Sequence, residues 1–227
     1  MSLLTSFTNP IAAAPLSTVQ VIDDFVSGTN SSAAVGDLGW FVGGGSTTAL
    51  AAEAGRPGIV RRDTSTTGST VAYTSMRPAT GAIGSVHADD LWDVTFVFRL
   101  NQVDANTRLR VGVSSNWSSE TPNELAHLER LTGDTNWFFV TNTGGGTATR
   151  ADSGTAANTS WHRVRIRRIS ASQIGFTLDA AAEVIATATL PTGSGLLIPG
   201  WQIVNTTTAS KTVDVDLCIF RVTGLSR

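Results

Sequence analysis

Between Asp93 and Leu100, the apolar residues Val94, Phe96, Phe98 and Leu100 alternate with Thr95, Val97 and Arg99. Successive side chains on a strand point to opposite faces, so this run predicts a strand with one buried face and one wetter face. The same two-residue period recurs along most of the chain. It is broken at short intervals by clusters of Gly, Ser, Thr and Asn, and no stretch keeps a helical repeat for three turns. Strands are expected at 19–26, 38–42, 47–52, 58–63, 69–75, 93–101, 107–114, 125–131, 136–141, 147–152, 161–169, 173–178, 184–190, 201–205 and 212–222. Gly43-Gly44-Gly45, Gly133-Asp134 and Gly144-Gly145-Gly146 supply turn chemistry between them. So many short strands predict an all-β protein built as two packed antiparallel sheets.

Residues 1–18 carry Leu3, Leu4, Phe7, Ile11 and Leu16 among Ala, Thr, Ser and two prolines. The segment is too interrupted for a helix and too apolar for a solvated tail, so it is expected to be an extended N-terminal arm docked on its own subunit or a neighbour. Residues 19–227 are expected to form a single β-sandwich domain, a size routine for all-β folds. The start lacks a basic region followed by a continuous apolar core, and Asn9-Pro10 interrupts it, so no secretory signal is expected.

Composition narrows the partners. Only 15% of residues are charged and the formal net charge is −2, which leaves no general basic field for nucleic acid or anionic lipid. No apolar run approaches the roughly 20 residues needed to cross a bilayer as a helix. Of the 16 basic residues only Lys211 is a lysine, and Arg suits specific paired contacts. The lone Cys218 lies in an apolar run and reads as an inert buried thiol.

Several stretches, in this order, resemble the concanavalin A-like lectin/glucanase jelly-roll family, particularly its divergent members in bacteriophage structural proteins. They are Asp23-Asp24-Phe25; Gly39-Trp40; Arg56-Pro57-Gly58-Ile59-Val60-Arg61; Trp137-Phe138-Phe139-Val140-Thr141; Trp161-His162-Arg163-Val164-Arg165-Ile166; Leu197 to Asn205; and Val213-Asp214-Val215-Asp216. The resemblance implies a two-sheet jelly roll whose lectin and hydrolase members hold glycans. Catalytic members carry Glu-x-Asp-x-Glu or Glu-x-Asp-x-x-Glu on one strand, and this chain has neither.

The candidate chemistry is sparse. Asp214 and Asp216 fall two apart on a strand and could stand close enough to flank a glycosidic bond. The plainer reading is that both line the solvent side while Val213, Val215, Leu217 and Ile219 face the core. His127 and Glu129 have the spacing of a base and its orienting carboxylate, but no nucleophile motif accompanies them, and structural pairing is the preferred reading. Asp89, Asp90 and Asp93 could contribute to a calcium site or act as turn residues; the second is preferred, and no metal or cofactor is assigned. Arg163, Arg165 and Arg167 share a strand face and need acids or a partner to offset them. Trp117, within Ser114-Ser115-Asn116-Trp117-Ser118-Ser119, is expected at an exposed loop tip as a ligand or subunit contact.

The first function expected is a non-enzymatic structural protein of a bacteriophage virion, a capsid decoration or tail-attached component. It would contact copies of itself, as a trimer or ring, and other virion proteins, after assembly in the host cytoplasm. The alternative is a carbohydrate-binding, lectin-like module for a receptor or surface glycan, and the third is a glycoside hydrolase. No nucleic-acid or membrane partner is expected.

Overall fold

The computed structural model describes residues 18–26, 34–36, 38–76, 85–144, 146–193 and 195–223. Apart from Thr18, the expected N-terminal arm lies outside the described residues. The strands are β1 (Thr18–Asp23), β2 (Ala34–Val35), β3 (Trp40–Gly43), β4 (Ser46–Leu50), β5 (Ile59–Asp63), β6 (Val71–Ser75), β7 (Val86–His87), β8 (Leu91–Leu100) and β9 (Thr107–Ser114). They continue with β10 (Leu125–Arg130), β11 (Asn136–Asn142), β12 (Thr149–Ala156), β13 (His162–Ser170), β14 (Gln173–Leu178), β15 (Val184–Ala186), β16 (Leu196–Asn205) and β17 (Thr212–Thr223).

These strands form two antiparallel sheets. The smaller, of eight strands, runs β15-β14-β13-β8-β17-β5-β4, with β1 pairing the second half of β17. The larger, of nine strands, runs β12-β11-β10-β9-β16-β6-β3-β2, with β7 pairing the start of β16. Neighbours in space are often far apart in sequence, which is the mark of a jelly roll rather than a meander.

The core lies between the sheets and follows from the alternation in the sequence. Val94, Phe96, Phe98 and Leu100 of β8 are buried without remainder, and Leu109, Val111, Val113 and Trp201 of the larger sheet are buried with them. Each such side chain contributes about 1.5–3 kcal/mol when removed from water. Trp40 and Trp201 meet with ring centroids 5.3 Å apart, and Phe96 stands edge-on to Trp201 at 6.0 Å. The Trp40 indole keeps its polar requirement by donating from Nε1 to Asp23 Oδ2 at 2.9 Å.

Strand β17 departs from the expected face assignment. Its register against β8 slips between Val215 and Leu217, leaving Asp216 as the extra residue of a β-bulge. Val213 and Val215 face the core as expected. Beyond the bulge the faces exchange: Cys218, Phe220 and Val222 are buried, while Leu217 and Ile219 turn to the outer side. Burial pushes the Cys218 thiol well above its ordinary pKa, so it stays protonated and unreactive.

Candidate functional site

The outer face of the larger sheet carries a row of positions set by strand register. Gly200 stands opposite Gly112, Gly112 opposite His127, His127 opposite Val140, and Val140 opposite Arg150. Beside it runs Gln202, Arg110, Glu129, Phe138 and Asp152. Gly200 leaves a trough, and Trp117, from the loop joining β9 to β10, lies in it. A Cβ on Gly200 would come within 2.7 Å of Trp117 Nε1 and 2.4 Å of the Thr74 carbonyl oxygen, so a side chain there would expel the indole.

This placement corrects the expectation of an exposed loop tip. Trp117 is only 3% exposed. Its Nε1 donates to the Ile198 carbonyl at 2.8 Å, and its own carbonyl accepts from Gln202 Nε2 at 2.6 Å. The residue is the clasp that holds its loop over the sheet, with His127 beside it at a ring separation of 6.5 Å. In this arrangement it does not face solvent as a contact residue.

Next to the clasp a cleft of about 260 Å³ opens, bounded by Glu120 and Pro122 of the loop, by Leu125, Val140 and Leu131, and by Arg110, His127, Glu129, Asn142 and Arg150. Glu129 is locked from two sides. Arg110 Nε donates to one oxygen at 2.7 Å and Arg150 Nε to the other at 2.9 Å. Arg110 also reaches Gln202 Oε1 at 2.8 Å, while Arg150 binds Asp134 at 2.6 Å and stacks over the Phe138 ring at 4.1 Å. Glu120 pairs with Arg108 at 2.7 Å. Each acid at the cleft is thus matched by a guanidinium, and the local charge is balanced.

His127 differs from its neighbours. It is buried, its Nε2 lies 3.6 Å from Glu129 Oε2, and neither ring nitrogen has a hydrogen-bond partner. Burial lowers its pKa, which keeps the imidazole neutral at pH 7. Burial alone would raise the Glu129 pKa, but the guanidiniums bonded to it outweigh burial and hold the carboxyl down at about 2. A carboxylate so depressed and doubly bound is poorly suited to donate or accept a proton at neutral pH. His127 and Glu129 stand side by side, 3.6 Å apart, but the hydrogen bonds to Glu129 come from Arg110 and Arg150.

The other acidic candidates are similarly committed. Asp214 is fully buried and takes Arg61 Nε at 2.7 Å and Arg99 Nε at 2.9 Å on different oxygens. Asp216, displaced by the bulge, takes Arg56 at 2.7 Å. The two acids therefore do not line a solvent face, as the sequence reading had them, but anchor a buried ion network. Trp161 caps that network, with Arg56 and Arg99 over its ring at 4.1 and 4.6 Å. Asp90 accepts from the His87 backbone at 3.1 Å, Asp89 from the Gly193 backbone at 2.9 Å, and Asp93 binds Arg165. Among the described residues, no group of three or more His, Cys, Asp or Glu side chains is placed to hold a metal ion.

Sequence reasoning named His127 and Glu129 but missed Arg110, Arg150 and Asn142, which come from three other strands. A local signal existed for the trough: a lone glycine, Gly200, inside the β16 pattern marks a close approach.

With the geometry in place, comparison with known proteins gives the lineage. Residues 55–216 match the family described as SO2946-like, C-terminal domain. The chain belongs to that family. SO2946 from Shewanella oneidensis MR-1 superposes with a TM-score of 0.68 at 16% identity, covering 92% of this chain and 89% of that one. The carbohydrate esterase of the Shiga toxin-encoding bacteriophage phi24B is similar at TM-score 0.53 and 15% identity, over 83% of this chain and 93% of that one. The exoplasmic/lumenal domain of VIP36, in a Ca2+/Man-bound form, gives 0.56 and 13%, over 92% and 90%. No curated protein sequence matches the chain. The fold is the concanavalin A-like jelly roll, an architecture shared by carbohydrate-binding lectins and by carbohydrate-active enzymes.

Proposed function

We propose that this family member is a non-enzymatic recognition module that binds a neutral carbohydrate in the cleft over β9–β12. The observation that carries the proposal is the cleft itself: a hollow beside a clasped loop, in which each acid is matched by a guanidinium, so that it offers polar groups without a net charge. Leu125, Val140 and Pro122 offer an apolar surface for the C–H face of a sugar ring. Retaining or inverting hydrolysis would need two free carboxyls, and Glu129, Asp214 and Asp216 are each tied to arginine.

Calorimetric titration with a panel of neutral oligosaccharides tests this. One class should bind, His127→Ala and Arg150→Ala should weaken it at least tenfold, and no product should form. A wild-type protein that binds none of them, or that cleaves one, overturns the reading.

A second reading, a structural component of a bacteriophage particle working through contacts between proteins, has its own support. Among the described residues β1 has no strand on its far side, and Ile22 on it and Val26 just past its end are 52% and 54% exposed, the kind of surface that association covers. The likeness to a phage-encoded esterase agrees with such a setting. Native mass measurement with and without residues 1–18 tests it: a monomer unchanged by the truncation, unable to join a particle, sinks this reading.

A further inference from the structure

The smaller sheet carries a second site on its outer face, unrelated to the cleft. The arginines of this chain are almost all neutralised. Arg56, Arg61, Arg99, Arg108, Arg110, Arg150, Arg165 and Arg167 each bind a carboxylate. The buried Arg62, Arg130 and Arg168 give their guanidiniums to backbone carbonyls. Among the described residues, that leaves Arg163 and Arg221 as the exposed arginines with no acidic partner. Both line one groove.

That groove, of about 180 Å³, is formed by Asp93 and Thr95 of β8, Arg163 and Arg165 of β13, and Ile219 and Arg221 of β17. The register explains the gathering. β8 lies between β13 and β17, with Arg165 opposite Thr95 and Arg221 opposite Asp93, so basic side chains flank the central strand from both sides. Arg163 stands opposite Val97 and Arg221 opposite Asp93, four positions apart along β8, so the two reach into the groove from diagonal corners with the Arg165 row between them. Asp93 is used up by Arg165, which binds it through Nε at 3.0 Å, and Arg221 meets only the neutral Gln20. Three guanidiniums face one carboxylate. The bulge at Asp216 contributes as well, since it is the exchange of faces beyond it that turns Ile219 and Arg221 outward.

We propose that this groove binds an oxyanion, a phosphate or sulfate group, held between Arg163 and Arg221 with Arg165 as a third donor. Guanidinium donors arranged in a fork match the oxygens of such groups and form charge-assisted bonds about twice as strong as neutral ones. A carbohydrate chain bearing ester phosphate or sulfate and a free inorganic ion present the same chemistry. Single-stranded nucleic acid fits less well, because no aromatic ring lines the groove to stack on a base.

The experiment is titration calorimetry at low ionic strength with inorganic phosphate, with dextran sulfate and with neutral dextran, on the wild type, the Arg163→Gln/Arg221→Gln double variant, and Arg150→Gln from the cleft. Both positions of the double variant are exposed, so the fold should survive, and circular dichroism checks that it does. Inorganic phosphate and dextran sulfate should bind the wild type, and the response to neutral dextran should be the same in the wild type and the double variant. The double variant should lose at least about tenfold in affinity while Arg150→Gln retains it. Tighter binding of the polymer marks a chain-borne group as the ligand, and equal site affinity marks the free ion. Absence of binding to the wild type, undiminished binding by the double variant, or a preference for a single-stranded oligonucleotide over dextran sulfate overturns the proposal. None of these outcomes bears on neutral glycans in the cleft, so the two sites stand or fall separately.

Discussion

Trp117 and His127 show how one side chain decides the environment of another. The indole closes the trough over Gly200 and lies beside the imidazole, helping to shield it from water, so Trp117→Ala should cost about 3–5 kcal/mol, read as a lower urea midpoint with the m-value retained. The Ser- and Asn-rich stretch around Trp117 reads as a wet loop because its partners, Gly200 and Ile198, lie more than eighty positions further along the chain. Protonation follows the same geometry. The folded-state pKa of His127 lies below its unfolded value, so its neutral form favours folding above about pH 6.5, and that contribution is lost as pH falls below it. Glu129, held at about 2, adds stability that is complete above the unfolded glutamate value and disappears as pH falls toward 2. Urea midpoints measured from pH 8 down to pH 3 should therefore begin to fall near pH 6.5, and His127→Gln should delay the fall to the carboxylate range.

At the level of elements, β8 and β17 mark the two ends of what a sequence can disclose. β8 alternates without interruption, and each expected core position is buried. β17 begins with the same alternation, Val213-Asp214-Val215-Asp216, yet one inserted residue reverses its outward set halfway along. The bulge is hidden in the sequence because Leu217, Cys218, Ile219 and Phe220 are apolar at both parities beyond it. The stabilising reason is apparent only from Arg56, which meets the displaced Asp216 from a segment about 160 residues earlier. The ion network around Asp214 is the element-scale counterpart. Asp214→Ala strips two guanidiniums of a buried counter-charge and should destabilise by about 3–5 kcal/mol, whereas Glu53→Ala, on the exposed rim of the same network, should leave the urea midpoint almost unmoved. Equal losses for the two variants in chemical denaturation would contradict this account.

For the whole molecule, two sheets and the jelly-roll class were legible from the strand count, the period of two and the ordered short matches. The strand order was not, since pairing between distant segments leaves no local trace. Nor was the cleft, whose arginines come from β9 and β12 and meet Glu129 of β10 only once the sheet has assembled. The same long-range pairing predicts slow folding relative to helical proteins of this length, in the range of milliseconds to seconds or slower, which stopped-flow refolding monitored by tryptophan fluorescence can check.

β17, the last strand described, is also the middle of its sheet: it hydrogen-bonds β8 along its length, β5 at its start and β1 at its end. During translation the smaller sheet therefore stays split, and the strands on either side of the gap have no partner to join them until residues 212–223 clear the ribosome. Nascent chains stalled before that point should stay open to protease and engage chaperones, and emergence of β17 should close the sheet in one step.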